Sequence, residues 1–261
     1  MGTKEYVIKR IAISLTTIFA VIVINFFLFR VMPANAVDIL LSPQQGMEKM
    51  GPEIREALIH DLGLDRPLWM QFGFYLRDVL TGNFGYSFVT PRPVINILAD
   101  RIVNTLVLMI AGNSLSILMA ISLGVIAAWK RASKIDIALV ISALTLTSMP
   151  MFWVGGIILL IFSVRLDMFP LFGTVTVGIK HANMFAYIID YAHHLFLPMI
   201  TMALVSFGGL FLIMRNSLLD VFTEDYILTA SFFCEHHLTI IFKNALNNAR
   251  LPLITIVAIR L

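Results

Sequence analysis

The sequence predicts an all-α, polytopic membrane helical bundle, and three observations predict it. Of its 261 residues, 59% are hydrophobic and only 13% are charged. Soluble domains carry about 25% charged residues, and a soluble fold could not hide this much apolar surface. The apolar residues are gathered into long runs separated by polar stretches broken by proline and glycine. The basic residues stand mostly beside those runs, and the net charge is only +3. That pattern sets membrane orientation and argues against a nucleic-acid partner. The single cysteine, Cys234, excludes an internal disulfide and a CxxC metal site.

Residues 1–10 carry Lys4, Lys9 and Arg10 ahead of the first run, which predicts a cytoplasmic N-terminus. Span 1, Ile11 to Val31, has about 20 apolar residues, enough to cross a hydrocarbon core of about 30 Å. A cleaved signal peptide ending at Ala34-Asn35-Ala36 is the competing assignment. Against it, the apolar core exceeds the usual length of about 7–15 residues, and Arg30 stands just before the site. Asn25 reads as an interior polar contact and Arg30 as an end residue reaching for the interface. Residues 32–101 form a broken extracytoplasmic region. Pro52 and Gly63 bracket a short helix over Glu53 to Leu62. Trp69, Phe72, Phe74 and Tyr75 fit either an aromatic cap or interfacial anchors.

Span 2, Ile102 to Trp129, repeats small residues at every fourth position: Gly112, Ser116, Ala120, Gly124 and Ala128. This helix-packing stripe lets another helix approach closely, and it points to a packed bundle more than to any one activity. Trp129, Lys130, Arg131 and Lys134 follow as a basic turn, expected in the cytoplasm. Span 3 covers residues 135–164, Ile135 to Val164. Pro150 inside it removes a backbone donor and opens the hydrogen-bond ladder. It is a candidate hinge, with a kink absorbed by packing as the alternative. Residues 165–195 return outside. His181, His193 and His194 lie there, but adjacent histidines rarely reach one metal from one helix, and no carboxylate or thiol cluster joins them; no metal site is predicted. Span 4, Phe196 to Leu219, has Pro198 near its start, where proline is tolerated. Gly208-Gly209 marks a close helix contact, and Arg215-Asn216-Ser217 closes the span.

Span parity then puts residues 220–250 in the cytoplasm. Thr223 is placed to cap a helix, and Glu224 and Asp225 put negative charge on its first turn. Ile227, Ala230 and Phe233 recur at helical spacing. A second helical piece runs through Ile240, Ile241, Ala245 and Leu246 toward Leu251 and Pro252. Two short helices on a membrane face make a docking surface, with an ordinary loop as the plain alternative. Residues 251–261 begin a fifth span. The nine residues after Pro252 cover about 13 Å, less than half of a core of about 30 Å. Starting the helix earlier would bury Lys243 and Arg250, at roughly 2.5–3.5 kcal/mol each near the bilayer centre. The expectation is four complete spans and an incomplete fifth.

EDYILTA followed by NALNNARLP is similar to the EAA loop of binding-protein-dependent ABC importer permeases. The match is best with the branch that imports peptides, dipeptides or nickel. GLDRPLWMQFGFYL, LTGNFGYSF and TPRPV also resemble segments of that branch, as do SMPMFWVG and RLDMFPLFG. Where the family has a basic run closing on glycine, this chain has Ser231, Phe232, Phe233 and Cys234.

The resemblance implies a type I importer permease fold whose 220–250 loop carries a coupling helix for an ATPase. The coupling residues it implies are Glu224, Asp225, Tyr226, Thr229, Ala230, Phe233, Asn244, Ala245, Leu246 and Pro252. It implies a second permease subunit, two cytoplasmic ATPase subunits holding ATP and Mg, and an extracytoplasmic substrate-binding protein received partly by residues 32–101. No cofactor is expected in this chain, because no GxxxxGK motif is present. No HExxH or GxSxG motif points to catalysis either. Family members continue with a further hairpin, so a truncated, non-transporting interaction protein or remnant is the alternative function.

Overall fold

Apolar runs become long helices because each residue added to a nucleated helix secures one more backbone hydrogen bond. The structure, a computed structural model, describes residues 2–31, 59–60, 63–87, 90, 92–232, 239 and 245–260. Among them there is no strand, and Tyr86 and Pro93 form an isolated antiparallel bridge. Among the described residues three helices are long and apolar enough to cross a membrane: α1 (Thr3–Val31), α3 (Val94–Trp129) and α6 (Met184–Val221). Between α1 and α3 lies α2 (Leu68–Leu80). After α3 come α4 (Lys134–Ser148) and α5 (Met151–Leu159), which a π-helical segment, Leu160–Arg165, continues. α7 (Asp225–Phe232) and α8 (Leu246–Arg260) follow α6.

The chain divides into two compact units, Met1–Arg101 and Ile102–Leu261. In the first, Phe26 of α1 is buried and meets Phe72 and Tyr75 of α2, with ring centroids 5.2 and 5.6 Å apart. These two aromatics pack inward, whereas Trp69 is exposed. The amide of the buried Gln71 donates to the carbonyls of Leu64 (3.1 Å) and Arg66 (2.5 Å), tying the preceding turn to α2. Gly63 enters that turn at φ +61°, where glycine is the favoured residue. Asn25, expected as an interior polar contact, lines a cavity of about 280 Å³ beside Phe26 and Phe74. The helix expected over Glu53 to Leu62 lies outside the described residues except at 59–60, as does the side chain of Arg30.

In the second unit, α6 is the spine on which α4, α5 and α8 pack. The buried cluster along it includes Phe207, Leu210, Phe211, Met214 and Leu218. All five small residues of the α3 stripe are buried. A Cβ built on Gly112 would stand 2.8 Å from Met202 Sδ, and one on Gly124 would stand 3.0 Å from Met214 Cγ, so the stripe faces α6. These two contacts should respond differently to bulk. Met202 is half-buried and ends in a movable thioether, while Met214 is fully buried. Gly124→Val is therefore expected to lower the thermal midpoint in detergent more than Gly112→Val does. Equal shifts would show that the seam yields uniformly.

The region of span 3 is not one kinked helix. α4 and the α5–π segment meet at a bend of 103°, so among the described residues three helices are candidate spans, or four if the bent pair counts as one. Proline explains the break. It lacks the N–H that would continue α4, and it pushes the preceding residue out of the helical region. Met149 is accordingly extended (φ −86°, ψ 136°), and Pro150 becomes the N-cap of α5.

The helix of span 4 begins at Met184, well before Phe196, because the Asn183 side chain caps it by accepting from the N–H of Ala186 (2.8 Å). Pro198 consequently lies inside the helix rather than near its start. α6 has 38 residues, about 57 Å at 1.5 Å per residue, and so outreaches a hydrocarbon core of about 30 Å.

Candidate functional site

The C-terminal end of α6 builds the region in which the sequence predicts coupling. Three backbone hydrogen bonds wind it down: Phe222 N–H to Leu218 (2.9 Å), Thr223 N–H to Asp220 (3.1 Å) and Glu224 N–H to Val221 (3.1 Å). Thr223 was expected to cap the next helix. Its hydroxyl instead donates back to the Asp220 carbonyl at 2.7 Å, so it closes α6. α7 starts at Asp225, and the Ile227 N–H bonds the Glu224 carbonyl at 3.0 Å.

α7 has two distinct sides. Ile227 is 5% exposed and joins the buried cluster of Leu218, Ala245 and Ala249, with Ala230 packed against it. Glu224, Asp225 and Thr229 are exposed, and the Thr229 hydroxyl donates to the Asp225 carbonyl at 2.8 Å. The two carboxylates sit where unpaired N–H groups make a helix start electropositive. Tyr226 is partly exposed, and its hydroxyl accepts from Asn248 Nδ2 at 2.7 Å, which ties α7 to α8.

Ala245 and Ala249, one helical turn apart, are both buried. Leu246 is half-buried, and Pro252 is exposed within α8. The structure thus brings Tyr226 and Ala230 together with Ala245 and Leu246 around Ile227. Glu224, Asp225 and Thr229 stay on the open side, while Phe233 and Asn244 lie outside the described residues.

The basic turn after α3 is at this same end. The Trp129 ring meets Phe222 edge-on at 6.1 Å, and Asp136 in the first turn of α4 holds Arg215 of α6. Sequence reasoning missed that ion pair. Ser133-Lys134-Ile135-Asp136 carries the signature of a capping box, so the cap was there to be found. The partner, 79 residues away, was not.

The three histidines are at the opposite end of α6. His181 Nε2 lies 3.0 Å from Asp190 Oδ2, His194 Nδ1 lies 2.8 Å from the Asp190 carbonyl, and His193 Nε2 lies 2.9 Å from the Met168 carbonyl. Thr176 adds its N–H and hydroxyl to the Asp190 carboxylate, both at 2.7 Å. The bonds from Thr176 and His181 to Asp190, and from His193 to Met168, pin the loop after the π-helical segment onto α6. Among the described residues, no group of three or more His, Cys, Asp or Glu side chains is placed to hold a metal.

Long apolar helices, with an amphipathic helix tethered at the end of α6, define a polytopic membrane protein. Residues 120–261 match the family model of the binding-protein-dependent transport system inner membrane component, and residues 3–109 match the model of its N-terminal region. The chain belongs to this family: it is an inner-membrane permease subunit of an ABC importer. Its relatives include the oligopeptide transport system permease protein AppB of Bacillus subtilis, 32% identical over 96% of this chain and 77% of that protein. The di/tripeptide transport system permease protein DppB of Pseudomonas aeruginosa is 29% identical over 97% of this chain and 78% of that protein. For the dipeptide transport system permease protein DppB of Escherichia coli K12 the identity is 29%, over 98% of this chain and 79% of that protein.

Proposed function

We propose that this chain is one of two permease subunits of a peptide importer, and that α7 is the helix through which separate ATPase subunits drive it. The observation that carries this reading is the build of α7: one side anchored through Ile227, the other presenting Glu224 and Asp225. Its position supports a cytoplasmic face. α7 shares an end with Lys130, Arg131 and Lys134, and short loops rich in lysine and arginine stay inside. The same rule, applied to Lys4, Lys9 and Arg10, favours a cytoplasmic N-terminus. The printed names of the relatives favour peptides over a nickel complex as cargo.

In this mechanism, ATP binding closes the ATPase pair and pushes α7. Two permeases then rock between outward and inward openings, a shift between two populated states. An extracytoplasmic binding protein delivers the peptide. Selectivity then lies largely in that protein, and this chain supplies the path and the lever.

The test is reconstitution of the chain with its ATPases, second permease and binding protein. Replacing Glu224→Gln and Asp225→Asn together is expected to lower transport-coupled ATP hydrolysis about tenfold, the equivalent of about 1.4 kcal/mol of docking. Coupling that stays at the native level would remove α7 from this role.

A further inference from the structure

We propose that Asp136 and Arg215 are positioning residues that lock the bent pair α4–α5 to α6, so that a push on α7 reaches all three helices as one body. The proposal rests on the importer reading above.

The Asp136 carboxylate is engaged on both oxygens. Oδ1 accepts from Arg215 Nε at 2.6 Å, and Oδ2 accepts from Arg215 Nη2 at 2.8 Å. This two-pronged fit belongs to a guanidinium and cannot be copied by lysine. Oδ2 also accepts from the Ala132 N–H at 2.9 Å, while the Asp136 N–H donates to Ser133 Oγ at 3.3 Å. Ala132 stands at φ +61°, a left-handed conformation uncommon outside glycine, asparagine and aspartate. The carboxylate therefore closes the turn after α3 and grips α6, while the backbone N–H of the same residue takes the Ser133 cap of α4. Asp136 is 2% exposed, so water does not compete for these bonds.

The location gives the pair its meaning. Arg215 lies between Met214 and Leu218, which belong to the same buried cluster as Ile227, the anchor of α7. Farther along the seam, α4 meets α6 as nearly bare backbone, the Ala143 carbonyl and Thr147 hydroxyl against Gly208. Backbone on backbone does little to fix register. The ion pair does, because displacing it strands the buried carboxylate of Asp136. Buried pairs often add little net stability compared with apolar replacements, and their best-attested role is to specify an arrangement. Here the arrangement is the register of α4 on α6, immediately before the lever. Without it, motion of α7 is lost as slip in the seam.

The experiment measures peptide taken up per ATP hydrolysed by the full complex in liposomes. Asp136→Asn is expected to lower that ratio about fivefold or more, within the usual range of coupling between sites, while ATP hydrolysis continues. A purely structural role would reduce uptake and hydrolysis together and leave the ratio unchanged; that result overturns the proposal.

A second arm does not depend on how well Asp136→Asn folds. Asp136→Cys and Arg215→Cys are combined with Cys234→Ser and joined by a short thiol cross-linker. The cross-linked complex is expected to keep the native ratio, because the two helices stay together through the cycle. Loss of uptake on cross-linking would show that they must separate, and the proposal fails. If the native chain couples but these variants behave otherwise than expected, only the lock is wrong. If the Glu224 and Asp225 variants are silent, α7 is not the lever, and the reading under it fails separately from the lock.

Discussion

Gly208→Ala is expected to lower the thermal midpoint of the purified protein by about 6–12 °C. A Cβ at Gly208 would run into the Ala143 carbonyl and the Thr147 hydroxyl, closer than any real Cβ contact. Neither neighbour is free to swing away. The carbonyl is helix backbone, and the hydroxyl already donates to that same carbonyl at 2.8 Å. α4 must therefore move off α6, which takes the buried Ala143 out of the core. Overpacking usually costs about 1–3 kcal/mol, and a backbone collision belongs at the top of that range. For a chain of this size, about 3 kcal/mol corresponds to the stated shift. Gly156→Ala is the control. Nothing lies within 4 Å of a Cβ there, and alanine is the better helix former by about 1 kcal/mol, so the midpoint should hold or rise. Equal midpoints for the two variants would mean that α4 and α6 do not touch at Gly208.

Ile227→Ala is expected to abolish transport-coupled ATP hydrolysis while leaving the membrane bundle folded. Deleting the buried part of this side chain costs about 2–5 kcal/mol. The cost falls on α7, a helix of only eight residues, far below the length at which a helix holds itself together in water. α7 should detach from Leu218, Ala245 and Ala249 without disturbing the α4–α6 seam. Hydrogen exchange should show the amides of 225–232 losing protection, with the thermal midpoint little changed. Tyr226→Phe removes a single hydrogen bond, to Asn248, of about 1 kcal/mol; its effect should be much smaller. A protected α7 in Ile227→Ala would mean that another contact anchors it.

The two predictions fall on different sides of what the chain discloses by itself. Gly208 could be suspected from its place in an apolar run, and the small residues from Gly112 to Ala128 could be marked as a contact face. A helix needs only its own spacing to declare which positions share a side. Ile227 reads as one apolar position in a short helix; that it is the anchor depends on Ala245 and Ala249, which come later in the chain. Thr223 shows the same limit at close range. Its type suits a cap, but whether it serves the helix behind or ahead depends on whether its hydroxyl meets a carbonyl of the one or an N–H of the other. The start of α6 was missed because Asp190, His193 and His194 read as loop residues. Asp190 and His193 find partners in the folded loop, at Thr176 and Met168.

Composition and spacing alone determined that this is a helical membrane protein with long apolar helices. They also determined where α3 gives way to a basic turn and that the hydrogen-bond ladder opens at Pro150. Those properties are sums over neighbouring residues, so the chain carries them in any context. Only the tertiary structure decided that the break opens to 103°, that α6 is the spine, and that Asp136 meets Arg215 beside α7. An angle or a pair between distant segments is set by which surfaces fill each other's space, and no local pattern encodes that match.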